Sequence, residues 1–306
     1  MITLAVACHR EDPLLVQLRE ALPLVDCQLI AEMSADALAT TRIAVGEPAC
    51  LATYVEQMPA LEWVQSTWAG VKPLIDSSAR HYRLTGVKDV FGPAMSAYVL
   101  AWVLSAARDV SARLTHQRWH PEEEPALQGR RMGIMGTGSI GLAVAQSARQ
   151  VGLEVVGLNR TGISPGDAFT AVYSLEDRLA FASGVDYLVA LLPDTPQTTD
   201  LIDADLLAAL NPDAMVINAG RGNCLDESAL LTAIEGGHIQ QAVLDVFREE
   251  PLPEVHPFWH TAGVVVTSHT AAPTPVSAAL AIFLDNLTRF QSAESLRYEI
   301  DWAQGY

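Results

Sequence analysis

The chain has 306 residues, half of them apolar, with 36 acidic against 19 basic side chains and a net charge of −17. The length gives a prior of about two domains, the composition argues against a disordered chain, and the sign of the charge argues against a nucleic-acid or anionic-membrane partner. Four scattered cysteines, Cys8, Cys27, Cys50 and Cys224, suggest neither a disulfide framework nor a zinc site.

Residues 1–6 lack a basic stretch, so no secretory leader is predicted, and a reducing cytoplasm is the expected compartment. Residues 2–7 are a short apolar run that predicts a buried strand, and residues 13–22 have helical spacing. Residues 43–45 and 61–66 predict two more strands, the second followed by a turn at Trp68, Ala69, Gly70 and Val71. Strands alternating with helices imply a parallel sheet covered on both faces. Residues 95–113 predict one helix, apolar nearly all round and therefore buried between layers or subunits. The longest apolar stretch, 97–107, is too short to span a bilayer. Residues 120–125 predict a loop, and a second α/β series follows. Its expected strands are 132–135, 153–158, 187–192, 214–218, 242–245 and 264–267, and a helix over 274–290 ends the series.

The segment Gly136-Thr137-Gly138-Ser139-Ile140-Gly141 places G-x-G-x-x-G between an apolar strand and a helical pattern. Gly136 suits a tight turn, Gly138 a close approach to a pyrophosphate, and Gly141 close packing of helix on strand. The helix start then offers free N–H groups to phosphate. The second strand ends in Asn159, Arg160 and Thr161, without the carboxylate that accepts from the ribose 2′-OH of NAD. Arg160 can pair with a 2′-phosphate, and Asn159 and Thr161 can donate to it. This favours NADP, as NADPH, with NAD as the second possibility. His116/His120 and His256/His260 have i, i+4 spacing, but neighbouring prolines and the lack of a third ligand argue against a metal.

Five ordered motifs carry a resemblance. They are the glycine segment, Leu191-Leu192-Pro193-Asp194-Thr195 through Thr198-Thr199, Ile217-Asn218-Ala219-Gly220-Arg221-Gly222, Leu244-Asp245-Val246-Phe247 through Glu250-Pro251-Leu252-Pro253, and Ser268-His269-Thr270-Ala271-Ala272. The chain resembles the D-isomer-specific 2-hydroxyacid dehydrogenases, and among them the glyoxylate/hydroxypyruvate reductases; its first hundred residues do so more faintly. The resemblance implies an α/β fold of two doubly wound parallel-sheet domains. A Rossmann-type nucleotide domain, residues 97–274, is expected within a flavodoxin-like substrate domain, residues 1–96 and 275–306, with the active site in the cleft. It also implies a homodimer supported by the 95–113 helix.

Arg221 follows an expected strand, where open α/β sheets build their sites, and its fork matches a carboxylate. His269 follows another, and histidine is suited to proton transfer near neutral pH. Glu250 would back that imidazole; its neighbour Glu249 is the alternative, and the Glu-Pro-Leu-Pro motif favours Glu250. The resemblance implies reduction of a small 2-oxo acid to the D-2-hydroxy acid, with His269 as acid/base, Glu250 as its partner and Arg221 on the substrate carboxylate. It places Leu192, Pro193, Thr198, Ala219 and Asp245 on the cofactor, Asp245 on the nicotinamide amide. Trp68, Ala69, Gly70 and Val71 would receive the substrate, although Lys72 stands where the family has Asp or Asn. Trp119 is a candidate for reaching a partner's active site. An NAD(H)-sensing interaction protein of the same fold, or a dehydrogenase for a different 2-hydroxy acid, are the alternatives. The presence of Arg221, Glu250 and His269 together favours an enzyme.

Overall fold

The computed structural model describes residues 3–9, 12–115, 119 and 126–303. The expected strand start at Ile2, the 120–125 loop and the His116/His120 pair lie outside them. The chain splits into two compact units, Met1–Val90 with Thr274–Tyr306, and Phe91–Pro273.

In the first unit five strands are described: β1 (Thr3–Ala7), β2 (Asp26–Leu29), β3 (Ile43–Gly46), β4 (Trp63–Ser66) and β5 (Arg83–Thr85). They form one parallel sheet in the order β2-β1-β3-β4-β5. Both faces are apolar, as a sheet covered on two sides requires. Leu4 and Val6 pack with Leu15, Leu18 and Phe283 on one face, while Ala5 and Ala7 pack with Leu38, Leu51 and Leu74 on the other. The fully buried Trp63 stacks on Phe283 at 5.2 Å and on Phe290 at 5.5 Å. Those rings fasten the helix Val276–Gln291 to a sheet whose strands lie some two hundred residues earlier. The helix starts two residues later than expected. Pro275 is held extended (φ −65°, ψ 124°), and a proline keeps the residue before it out of helical conformation.

The second unit has β6 (Arg131–Met135), β7 (Glu154–Leu158), β8 (Ala171–Tyr173), β9 (Tyr187–Ala190), β10 (Ala214–Asn218), β11 (Ile239–Leu244) and β12 (Val264–Val266). They are parallel in the order β12-β11-β10-β9-β6-β7-β8, so the winding reverses between β6 and β9. Ligands of open α/β sheets bind outside the carboxyl ends of the strands at such a switch point. The expected 95–113 helix is two: Gly92–Ala107 and Val110–Thr115, broken where Asp109 adopts φ 43°. The first begins with Pro93 in its opening turn, where a missing N–H costs nothing. β11 begins three residues earlier than expected, with the polar Gln240 and Gln241 beside a register shift against β10. Among the described residues no helix is long and apolar enough to cross a membrane.

Candidate active site

The loop after β6 fits a dinucleotide. Gly136 has φ +100°, and a Cβ there would lie 2.8 Å from the Leu191 carbonyl. At Gly141 a Cβ would stand 2.0 Å from the Gly136 carbonyl, so only glycine lets the helix Ser139–Gln150 approach the turn. Gly138 differs: a Cβ there meets nothing within 4 Å, and no side chain caps the helix it begins. Open space therefore faces the first turn of a twelve-residue helix, whose initial N–H groups have no partner within the helix. The donor set and the room beside Gly138 suit the pyrophosphate of NAD(P), held by residues Gly136 to Gly141.

At the end of β7 one expectation is revised. Asn159 Nδ2 donates to Thr137 Oγ1 and to the Ile163 carbonyl, both at 2.8 Å. Its Oδ1 accepts from the N–H groups of Thr161 and Gly162. The amide is spent on tying the glycine turn to the following loop, and both of its protons are committed. The Thr161 hydroxyl also turns to Asn159, at 3.3 Å. Arg160 is exposed and has no described partner, so it is the cation this loop presents to solvent.

The next loops meet at the carboxyl edge of the same sheet. Leu192 is buried and Pro193 exposed. Thr198, buried, donates to the Pro193 carbonyl at 2.7 Å and shapes that loop. Ala219 N–H bonds Ala190 O, and a Cβ on Gly220 would lie 2.6 Å from Leu192 N. Arg221 follows, its carbonyl accepting from Asn218 Nδ2 at 3.1 Å and Cys224 Sγ at 3.0 Å. Its Nη1 donates to the Gly220 carbonyl. Gly222 sits so close to the neighbouring loop that a Cβ would be 1.9 Å from the Phe247 carbonyl carbon.

That neighbouring loop carries Glu250, whose Oε1 accepts from Phe247 N–H at 2.9 Å and whose Oε2 meets His269 Nδ1 at 2.8 Å. A carboxylate partner assigns the Nδ1 proton and leaves Nε2 as the atom free to exchange one. His269 lies just past β12 with φ 55°, its N–H bonded to the Asp245 carbonyl. Asp245, 1% exposed, does not have a free carboxylate. Oδ1 accepts from the Thr267 hydroxyl and Thr270 N–H, and Oδ2 from Ala271 N–H. Its visible task is to grip the loop that carries His269. Asn218 was legible as a motif position but not as the residue that holds the Arg221 carbonyl, and Thr267 was not singled out as a site residue; its place just beyond the end of β12 was the only signal.

Burial pulls the Arg221 guanidinium below its ordinary value, opposed by the charges of Glu250 and Asp194. Burial alone would raise Glu250, but the hydrogen bond from His269, the Phe247 N–H and the charges of His269 and Arg221 prevail, and the carboxyl lies below its usual value. A depressed carboxyl contributes stability above its unfolded value and loses it as pH falls through the folded one. An NMR titration of Glu250 is expected to give a midpoint below that of an ordinary glutamate, moving upward in His269→Ala. An unmoved midpoint would show that the pair is not coupled.

In the first unit, Thr67 N–H bonds the Gly46 carbonyl, and the Ser66 hydroxyl accepts from Trp68 N–H and donates to Trp68 O. Trp68 is 48% exposed, Ala69 exposed, Gly70 half-buried and Val71 buried. Lys72 pairs with Asp76 at the surface. Trp119 is exposed. His256 faces Glu227 and accepts from Phe258 N–H, and no group of three metal-ligating side chains occurs among the described residues.

Residues 99–271 match the family model described as "D-isomer specific 2-hydroxyacid dehydrogenase, NAD binding domain". The chain is 33% identical over 257 residues to glyoxylate/hydroxypyruvate reductase A of Yersinia enterocolitica, covering 80% of this chain and 82% of that protein. It is 36% identical over 217 residues to the same-named enzyme of Serratia proteamaculans, covering 69% and 68%. Among solved structures it resembles an NADPH-dependent glyoxylate/hydroxypyruvate reductase from Sinorhizobium meliloti in complex with NADP and sulfate (TM-score 0.89, 27% identity, all of both chains). It also resembles a D-isomer-specific 2-hydroxyacid dehydrogenase from Xanthobacter autotrophicus in complex with NADPH and MES (TM-score 0.88, 30% identity, 99% of each chain).

Proposed function

The chain belongs to the D-isomer-specific 2-hydroxyacid dehydrogenase family, and from that premise we propose that it reduces a small 2-oxo acid of the glyoxylate or hydroxypyruvate kind to the D-2-hydroxy acid, using NADPH. The observation that carries this reading is the Glu250–His269 pair at 2.8 Å, beside the Arg221 loop on the sheet edge that bears the glycine turn. A bound nicotinamide supplies a hydride to the carbonyl carbon. His269 Nε2 gives a proton to the carbonyl oxygen as negative charge develops there, and Glu250 holds the imidazole in the required tautomer. Arg221 binds the substrate carboxylate and stabilises the developing oxyanion. In the reverse direction neutral His269 takes the hydroxyl proton. Trp68, Ala69, Gly70 and Val71 belong to the substrate-binding set in this reading. The Phe91–Pro273 unit serves as the nucleotide domain.

Leu192, Pro193, Thr198 and Ala219 shape the cofactor site beside the glycine turn. Asp245 serves it by fixing the His269 loop. The absence of a carboxylate at the end of β7 and the exposed Arg160, without a partner among the described residues, support NADPH over NADH. Arg160→Ala is expected to raise KM for NADPH about tenfold, the equivalent of one charge-assisted hydrogen bond, with little change for NADH. Equal effects on both would remove Arg160 as the phosphate partner. The nearly all-apolar helix Gly92–Ala107 supports a homodimer, and four free cysteines support a reducing cytoplasm.

The test is an absorbance assay of NADPH and NADH oxidation against a panel of 2-oxo acids. Turnover with glyoxylate or hydroxypyruvate is expected, faster with NADPH. No turnover with any member would favour a nucleotide-sensing module of the same fold.

A further inference from the structure

Helix Gly92–Ala107 sends one polar side chain toward the loop of His269. The Tyr98 hydroxyl is 2.8 Å from Thr267 Oγ1, and Thr267 Oγ1 is 2.5 Å from Asp245 Oδ1. Thr267 has a single hydroxyl proton. Both Asp245 oxygens already accept backbone N–H donors, from Thr270 and Ala271, and a carboxylate can only accept. The Thr267 proton is therefore committed to Asp245, and Tyr98 is the donor to Thr267. The chain of hydrogen bonds has one direction, from Tyr98 through Thr267 to Asp245.

Asp245 in turn holds the residues on either side of the imidazole. Its side chain binds Thr267 before His269 and Thr270 and Ala271 after it, while its carbonyl accepts the His269 N–H. His269 itself adopts φ 55°, a region that disfavours residues with side chains and persists only where the surroundings enforce it. Tyr98 packs its ring on the core between helix and sheet, near Trp102. A phenylalanine would fill that volume equally well; the hydroxyl oxygen faces the Trp102 indole N–H, and its own proton goes to Thr267. Burial raises the Tyr98 hydroxyl above its usual value, which keeps it a donor across the neutral range.

We propose that Tyr98, acting through Thr267, is a positioning residue for His269, fixing the left-handed turn that presents the imidazole to the substrate. This rests on the reading of His269 as the proton donor. The experiment compares Tyr98→Phe, Thr267→Val, Thr267→Ser and His269→Ala by kcat, KM for NADPH and the solvent deuterium isotope effect on kcat. A displaced catalytic group costs up to about a hundredfold. On that scale Tyr98→Phe is expected to lower kcat about tenfold and Thr267→Val about a hundredfold, with KM for NADPH changed less than about twofold. The isotope effect should rise in both, because proton transfer becomes slower, and Thr267→Ser should restore the rate.

Wild-type kcat in Tyr98→Phe and Thr267→Val, with His269→Ala inactive, would overturn the positioning role alone. A rate loss matched by loss of folded protein, with an unchanged isotope effect, would also overturn it by assigning Tyr98 to stability. Near wild-type kcat in His269→Ala would overturn the acid assignment itself, and the positioning role with it.

Discussion

Replacing His269 with alanine is expected to lower kcat for 2-oxo acid reduction by at least about a hundredfold, the lower range for a positioned acid or base, while KM for NADPH stays near wild type. The imidazole is reached by solvent, its Nδ1 is taken by Glu250, and Nε2 is left free. Nothing else described beside that pair can replace the proton donor, because Arg221 keeps its charge at every accessible pH. Glu250→Gln leaves an acceptor for the Nδ1 proton, so the imidazole keeps its tautomer and the loss should be smaller than in His269→Ala. Near wild-type turnover in His269→Ala would show that another group delivers the proton.

Arg221→Ala is expected to lower kcat/KM for the 2-oxo acid about a hundredfold, because a bidentate contact to a carboxylate comprises two charge-assisted hydrogen bonds of about 1.5 kcal/mol or more each. Arg221→Lys should recover only part of this, since an ammonium is a point charge without the planar fork. The loop should survive either change. It is held by the Arg221 backbone carbonyl, through Asn218 and Cys224, and by the contact of Gly222 with Phe247. Affinity for NADPH is the control: a loss there equal to the loss for the 2-oxo acid would point to a collapsed loop and not to a lost substrate contact.

Interior strands were plain in the sequence, because a strand buried on both faces must be apolar throughout: 2–7, 43–45 and 214–218 read directly as β1, β3 and β10. The strands that escaped, β2, β5 and β8, all lie at sheet edges and are three or four residues long, with polar or exposed positions. An edge strand is fixed by its single neighbour, and its own residues announce little. The break at Asp109 was hidden for a related reason: continuous apolarity records burial and says nothing of a single left-handed residue. In the site, Gly136, Gly141, Glu250 and His269 were legible because spacing or motif identified them. Asn159 and Asp245 were legible as positions but not as partners. Which proton an amide spends, and on whom, depends on Thr137, Ile163, Thr270 and Ala271 being brought together by the fold.

The stacking of Trp63 on Phe283 and Phe290 has a consequence for synthesis of the chain. The ribosome makes Trp63 early but its aromatic cover only after the entire Phe91–Pro273 unit has emerged. Until then the first sheet carries an uncovered apolar face, the kind of nascent surface that chaperones hold and that aggregates when they do not. The interposed unit is closed within its own sequence and is free to mature first. The last-made helix then completes the earliest-made sheet.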